Sequence, residues 1–122
     1  MLTTIAAAIV CSVISAQHSP DHVPLERSAP VCAEIAHAAR EHGVPMRLAL
    51  AVGYRETRWR HGLVSSVGAV GPMQVKPWYH CPGYTADGCD LVDAGVRALA
   101  RYIDEEGAVM PALCRYSSGT AY

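Results

Sequence analysis

A single carboxylate, Glu56, stands among three arginines in the stretch YRETRWR. The simplest interpretation is a surface ion pair between Glu56 and Arg60, one helical turn apart, which would contribute about 0.3–0.5 kcal/mol. The preceding segment, 46–52, argues against this because it is apolar nearly all round, as a buried helix would be. A carboxyl group in an apolar cleft has a raised pKa and can act as a general acid at neutral pH. Since Arg55, Arg58 and Arg60 would lower that pKa, we expect them to point away from the cleft.

A loop rich in small residues follows this helix, with the sequence SSVGAVGPMQV at residues 65–75. Gly68 and Gly71 allow the backbone to approach a ligand closely. The Gln74 amide offers both a donor and an acceptor, which suits sugar hydroxyl and acetamido groups. Three aromatic residues after the loop have flat apolar faces on which sugars can stack, although packing explains them equally well: Trp78, Tyr79 and Tyr84.

Length and composition limit the class of protein. The 122 residues are enough for one domain. A hydrophobic content of 51% and a charged content of 17% are typical of a globular chain rather than a disordered one. The net charge of −1 and the lack of a basic stripe give no reason to expect nucleic-acid binding.

The elements that position Glu56 are predicted to be helices, so the fold class is mainly α. An amphipathic helix begins at Cys32 and ends at Gly43, and the apolar helix that carries Glu56 follows it. Residues 61–90 have many Gly and Pro and no helical period, which predicts an irregular loop or a small hairpin. Helical spacing returns at residues 91–106, with Asp93 interpreted as a cap, and a last short helix precedes the tail.

The N-terminus and the cysteines favour an exported protein. Residues 1–16 contain no charged side chain and resemble a secretory leader, although a retained N-terminal helix or anchor is the alternative. Residues 17–31, with three prolines, are interpreted as a linker to the domain at 32–122. Loss of Cys11 with the leader would leave an even number of cysteines. Cys81 and Cys89 flank a turn-rich loop that can bring its ends together, so we expect them to pair and Cys32 to pair with Cys114. An exported protein would lie in the periplasm, outside the cell or on a virion.

Four blocks in this order resemble the lysozyme-like lytic transglycosylase domain of the soluble-lytic-transglycosylase family. These blocks are RET, SSVGAVGPMQVKP, DAGVRALARYI and ALCRYSSG. The family has E-S, then S-x-x-G-A-x-G-L-M-Q-x-x-P, then a helix opening N-x-x-x-G, then A-x-x-x-Y-N-A-G. The resemblance covers about residues 34–119 and implies a lysozyme-like α (α+β) fold.

The resemblance assigns roles to individual residues. Glu56 would be the catalytic acid, with Thr57 in the place of the usual Ser, and Gly95 would be the glycine that packs below the site. Four residues would contact the substrate or shape its site: Ser65, Met73, Gln74 and Tyr116. This chain departs from the family at Pro72, which replaces Leu, and at Ser117, which replaces Asn.

The implied reaction is cleavage of the β-1,4 bond between N-acetylmuramic acid and N-acetylglucosamine in peptidoglycan, without a metal or other cofactor. Glu56 would protonate the glycosidic oxygen, and the muramic 6-hydroxyl would then attack to give a 1,6-anhydro end. The glycan strand is the expected partner, and a secretion, conjugation, pilus or phage machine is the expected setting.

Three alternatives stay open. A goose-type muramidase would share the acid but would add a carboxylate that activates water. A binding module would hold peptidoglycan without cutting it. A zinc site could be built from His80, Cys81, Cys89 and Asp90, although their spacing matches no common zinc pattern and export favours a disulfide.

Overall fold

The computed structural model describes Cys11 and residues 25–118, without the side chains of residues 25–28 and 118. Between residues 25 and 118 the chain forms five α-helices: α1 (Leu25–Glu41), α2 (Met46–Thr57), α3 (Pro77–His80), α4 (Leu91–Glu106) and α5 (Val109–Ser118). A 3₁₀ turn, Pro82–Tyr84, follows α3. Strand pairing in this part of the chain consists of two isolated antiparallel bridges, Val64–Val70 and Val70–Val75. The mainly α prediction is confirmed, and isolated bridges stand where a small hairpin was considered.

The first helix begins earlier than the sequence pattern predicts. Helix α1 starts at Leu25, so residues 25–31 belong to the helix and not to the expected linker. Pro30 lies inside α1, where its missing N–H removes one helical hydrogen bond. The buried face that follows offsets this cost, because Val31, Cys32 and Ile35 have no solvent exposure.

The predicted leader, residues 1–16, and the first part of the predicted linker lie outside the described residues, apart from Cys11. Among the helices that the structure does describe, none has the length and apolar character needed to cross a membrane.

Helices α1, α2 and α4 enclose the main hydrophobic core. Helix α4 buries Val96 and Leu99 on the face that meets this core. The imidazole Nε2 of His42, just after α1, lies 2.7 Å from a carboxylate oxygen of Asp93 in the first turn of α4. We predicted that Asp93 caps α4, but another residue has this role. The cap is Asp90, whose carboxylate accepts the Asp93 backbone N–H at 3.1 Å.

The cysteines pair differently from the expectation at one of the two bridges. Cys81 and Cys89 form the short bridge expected across the turn-rich loop. Cys32 is bonded to Cys11, so the expected Cys32–Cys114 bridge is not formed. The physical reason is the direction of the side chains, because Cys32 points into the core whereas Cys114 is an exposed free thiol on α5. The expectation also removed Cys11 from the count, and Cys11 is the buried partner.

Gly95 allows α4 to approach the loop that precedes α3. A Cβ atom placed on Gly95 would lie 2.3 Å from Cβ and 2.8 Å from Cγ of Met73, and 3.0 Å from the hydroxyl of Tyr116. Gly53 in α2 is also crowded, but its nearest neighbour is the flexible Cδ1 end of Ile35, at 2.5 Å. Met73 Cβ cannot move without its backbone, so Gly95 is the more constrained of the two glycines.

We therefore expect Gly95→Ala to lower the free energy of unfolding by about 1–3 kcal/mol, the usual cost of overpacking a core. Urea unfolding followed by circular dichroism measures this loss. The control is Asp104→Ala on an exposed position of the same helix, which should change the stability by less than about 0.5 kcal/mol. Equal stabilities for Gly95→Ala and the control would mean that the contact with Met73 is not tight.

Candidate active site

Glu56 lies in the last turn of α2, and hydrogen bonds from Thr57 and Trp59 fix the end of that helix. Arg58 and Trp59 both have positive φ, at 54° and 58°, a left-handed conformation that is uncommon for such residues. Trp59 is only 3% exposed, and its indole Nε1–H donates to the carbonyl oxygen of Leu50 at 3.0 Å. The indole therefore packs against α2, and its hydrogen bond helps to hold the left-handed backbone that follows this helix.

Thr57, the last residue of α2, connects the helix end to the loop. It is 2% exposed, and its hydroxyl lies 2.8 Å from the carbonyl oxygen of Pro72. The same hydroxyl oxygen accepts the backbone N–H of Arg60 at 3.3 Å. A buried hydroxyl with partners on both sides has a structural role here, because it joins α2 to the loop at residues 61–76.

Two of the predicted substrate contacts, Ser65 and Gln74, hold the loop itself. The hydroxyl oxygen of Ser65 accepts the backbone N–H groups of Val67 at 3.3 Å and Ala69 at 3.1 Å. The side-chain Nε2 of Gln74 donates to the carbonyl oxygens of Leu63 at 3.1 Å and Gly71 at 3.0 Å. Gln74 has a φ of 52°, and these two bonds support that strained conformation.

The remaining two predicted residues, Met73 and Tyr116, meet each other. The Met73 side chain is fully buried beside Gly95. The Tyr116 hydroxyl donates to the Met73 backbone carbonyl at 2.7 Å. This bond joins α5 to the loop and fixes the hydroxyl end of Tyr116, whose ring packs edge-on against that of Tyr102 in α4.

Glu56 and Tyr116 line one cavity of about 120 Å³ between α2 and α5. Most of its surface is apolar, and the residues around it are Leu48, Ala51, Val52, Arg55, Glu56, Leu113, Tyr116 and Ser117. Ser65, Met73 and Gln74 are not among them. Ordinary ligand sites measure about 300–1,000 Å³, so this cavity has room for one edge or substituent of a sugar rather than for a glycan segment.

Burial raises the pKa of Glu56 above its ordinary value of 4.5, and the positive charge of Arg55 partly opposes this rise. The net direction is upward, so removal of water from the carboxyl group outweighs the neighbouring cation. A half-buried carboxyl group of this kind keeps its proton to a higher pH than an exposed glutamate. It is therefore suited to donate a proton to a bound group.

The structure corrects our expectation for one of the three arginines. Arg55 was expected to point away from the cleft, but it lines the same cavity as Glu56. Helical spacing could have revealed this, because Leu48, Val52 and Arg55 recur at positions i, i+4 and i+7 on one face of α2. Leu113 was not among the predicted site residues, and it lies three residues before Tyr116 on the cavity side of α5.

The structure argues against the zinc site that was considered at His80, Cys81, Cys89 and Asp90. Cys81 and Cys89 are joined in a disulfide, so neither sulfur is a thiolate ligand in this structure. Among the described residues, no group of three or more His, Cys, Asp or Glu side chains is arranged to hold a metal ion.

A second cavity of about 270 Å³ lies between the loop and the start of α4. Its charged lining residues include Glu34, His61 and Asp90, and the first two form an exposed pair with a separation of 3.6 Å. The cavity is larger than the one at Glu56. None of its carboxyl groups has the combination of burial and apolar surroundings that marks Glu56, so we place the candidate active site at Glu56.

Comparisons with known proteins give no relative for this chain: no family model, curated protein or solved structure matches it. The candidate site therefore has to be judged on its own geometry.

The raised pKa of Glu56 predicts a pH-dependent effect of Glu56→Gln on stability. A folded state with a raised pKa binds the proton more tightly than the unfolded chain, so the wild type loses stability as the pH rises above 4.5. Glutamine cannot ionise and avoids this loss. The melting temperature of Glu56→Gln relative to wild type should therefore increase between pH 4 and pH 7.

Thermal unfolding of both proteins across this pH range measures the difference, with Asp104→Asn, an exposed carboxyl replacement, as the control. A difference between Glu56→Gln and wild type that stays constant or shrinks with rising pH would contradict the burial of the Glu56 carboxyl group.

Proposed function

We propose that this chain is a peptidoglycan lytic transglycosylase with a lysozyme-like fold and Glu56 as its single catalytic acid. The observation that carries the proposal is the position of Glu56, half-buried in an apolar cavity with a raised pKa and with Tyr116 on the same cavity. The resemblance in four ordered sequence blocks supplies the reaction class. The geometry supports it because Glu56 and Tyr116, far apart in sequence, share one site.

The proposed reaction needs one carboxyl group that gives and then takes back a proton. Protonated Glu56 donates its proton to the glycosidic oxygen, and the bond from that oxygen to C1 of the N-acetylmuramic acid breaks. The 6-hydroxyl oxygen of the muramic acid then bonds to C1, and the Glu56 carboxylate accepts the proton of that hydroxyl. Both products are neutral at the reacting atoms, and Glu56 is again protonated.

Two features of the cavity support the proton-transfer roles. Its apolar lining favours the protonated starting form of Glu56. Arg55 favours the carboxylate that forms after the first transfer, since an adjacent cation stabilises the ionised form. The opposing effects keep the pKa of Glu56 above its ordinary value without removing its ability to ionise, which a group that serves first as acid and then as base requires.

The number of carboxylates separates the lyase from the hydrolase. Hydrolysing glycosidases commonly use a pair of carboxyl groups that flank the bond. Among the described residues that line the cavity, Glu56 is the only carboxylate. The proposed lyase reaction uses one carboxyl group, which agrees with this lining, and product analysis distinguishes it from a goose-type muramidase.

The two disulfides are compatible with an exported protein. We propose that the chain acts on the cell wall from the periplasm, from outside the cell or as part of a virion. We propose that it opens the wall locally for a secretion, conjugation, pilus or phage machine.

The direct test is product analysis. The full chain and its Glu56→Gln variant are incubated with purified peptidoglycan, and the soluble fragments are identified by mass spectrometry. We expect 1,6-anhydro-muramic ends from the wild type, and roughly 10²- to 10⁴-fold less product from Glu56→Gln, the usual contribution of a general acid. The control variant is Asp104→Asn, which should digest like the wild type.

Each of the other results would contradict the proposal in a different way. Reducing ends would indicate a muramidase. Binding to peptidoglycan without any product, from a folded wild-type protein, would indicate a binding module.

A further inference from the structure

Arg55 is the one cation among the described residues that line the cavity at Glu56. Its guanidinium stays charged at any ordinary pH. The rest of the lining is apolar except for Glu56, Tyr116 and Ser117. When Glu56 is protonated, the cavity therefore has a net positive charge.

The two neighbouring arginines are used in other ways. The guanidinium of Arg58 lies 5.9 Å from the ring centroid of Tyr54, a cation–π distance. The Nε–H of Arg60 donates to the backbone carbonyl of Thr57 at 2.8 Å, which closes the end of α2. Neither residue lines the cavity, so only Arg55 is placed to meet a bound ligand there.

A ligand that complements this cavity offers an apolar edge and an anionic group. A neutral sugar would leave the guanidinium without a charged partner, whereas a carboxylate can accept two parallel N–H bonds from it. N-acetylmuramic acid has a lactyl ether that ends in a carboxylate or continues into a peptide with its own carboxylates. N-acetylglucosamine has no such group.

We infer that Arg55 binds a carboxylate of the muramic acid substituent and so selects peptidoglycan over neutral polymers of N-acetylglucosamine. This inference rests on the proposed function, because it identifies the group that the same site recognises. Arg55 is then a specificity residue on the cavity wall, adjacent in sequence to the acid.

The experiment measures binding in the Glu56→Gln background, where no substrate is cleaved and the neutral glutamine mimics protonated Glu56. Three probes are titrated by NMR: a neutral N-acetylglucosamine tetramer, an alternating N-acetylglucosamine–N-acetylmuramic acid tetramer with free lactyl carboxylates, and the same tetramer with peptide stems. Three proteins are compared: the background variant, the background with Arg55→Gln, and the background with Arg58→Gln. The last removes one nearby charge without touching the cavity.

We expect the background protein to bind the muramic tetramers roughly threefold to tenfold more tightly than the neutral tetramer, as one partly exposed ion pair allows. Arg55→Gln should abolish this preference, and Arg58→Gln should keep it. The preference should also shrink as salt is raised. A larger preference for the tetramer with free lactyl groups identifies the lactyl carboxylate, and a larger preference for the stem-bearing tetramer identifies a stem carboxylate.

Equal affinity for neutral and muramic probes would overturn the inference, as would an equal loss of preference in Arg55→Gln and Arg58→Gln. Either result can accompany 1,6-anhydro products from the wild type, in which case the proposed function stands and only the role of Arg55 fails. Carboxylate selection without any cleavage product would support the role of Arg55 in binding and contradict the proposed function. Absence of binding to all three probes would overturn the inference, and the product analysis would still decide the proposed function.

Discussion

The hydrogen bond from the Tyr116 hydroxyl to the Met73 carbonyl, 2.7 Å long, joins the parts of the molecule on which the candidate site depends. It connects α5 to the loop, and Gly95 in α4 leaves the space in which the Met73 side chain packs. The loop is bonded in turn to the end of α2 through Thr57 and Pro72. Glu56 and Tyr116 lie on the same cavity because this series of contacts connects their helices.

Electrostatics at this cavity is a balance of two effects that act on one carboxyl group. Burial favours the protonated form of Glu56, and Arg55 favours the ionised form, with burial the larger effect. The raised pKa of Glu56 has opposite consequences for folding stability and for the proposed proton transfer. The burial that raises the pKa of Glu56 lowers the free energy of unfolding as the pH rises above the ordinary glutamate value of 4.5. The same rise lets the carboxyl group keep a proton that it can donate at a higher pH than an exposed glutamate could. Such local conflict is typical of a functional site rather than of a surface ion pair.

Periodicity and turn chemistry predicted most of the elements. The apolar pattern of α4 and the glycine at its end, Gly107, determine a helix that the structure contains, with Gly107 in the left-handed cap conformation. The short bridge between Cys81 and Cys89 followed from the turn residues between them. The selection of Glu56 depended on the apolar character of the helix around it. These are local properties, and a sequence displays them directly.

The errors concern contacts between distant parts of the chain. Nothing near Cys32 indicates that its partner is Cys11 rather than Cys114, because the choice depends on which side chain points into the core. The prolines before Cys32 suggested a linker, yet tertiary packing of α1 outweighed the cost of Pro30.

Residue type alone also did not indicate the contacts that two loop residues make. Ser65 and Gln74 have side chains that could bind a sugar, but their hydrogen bonds to the loop backbone could not be inferred from residue type. The prediction that Arg55 points away from the cleft was wrong because it considered the charge of Arg55 and not its position on the helix face.

The measurement that tests this account most directly is an NMR titration of the Glu56 side-chain carboxyl carbon in the wild-type protein. The Glu56→Gln variant, which lacks this signal, provides the assignment. The account predicts a midpoint above the ordinary glutamate value of 4.5, and a further increase when Arg55 is replaced by Gln, since the opposing cation is then removed. A midpoint at or below 4.5 would contradict the account, because Glu56 would then be an ordinary ionised surface residue and not an acid held ready in an apolar cavity.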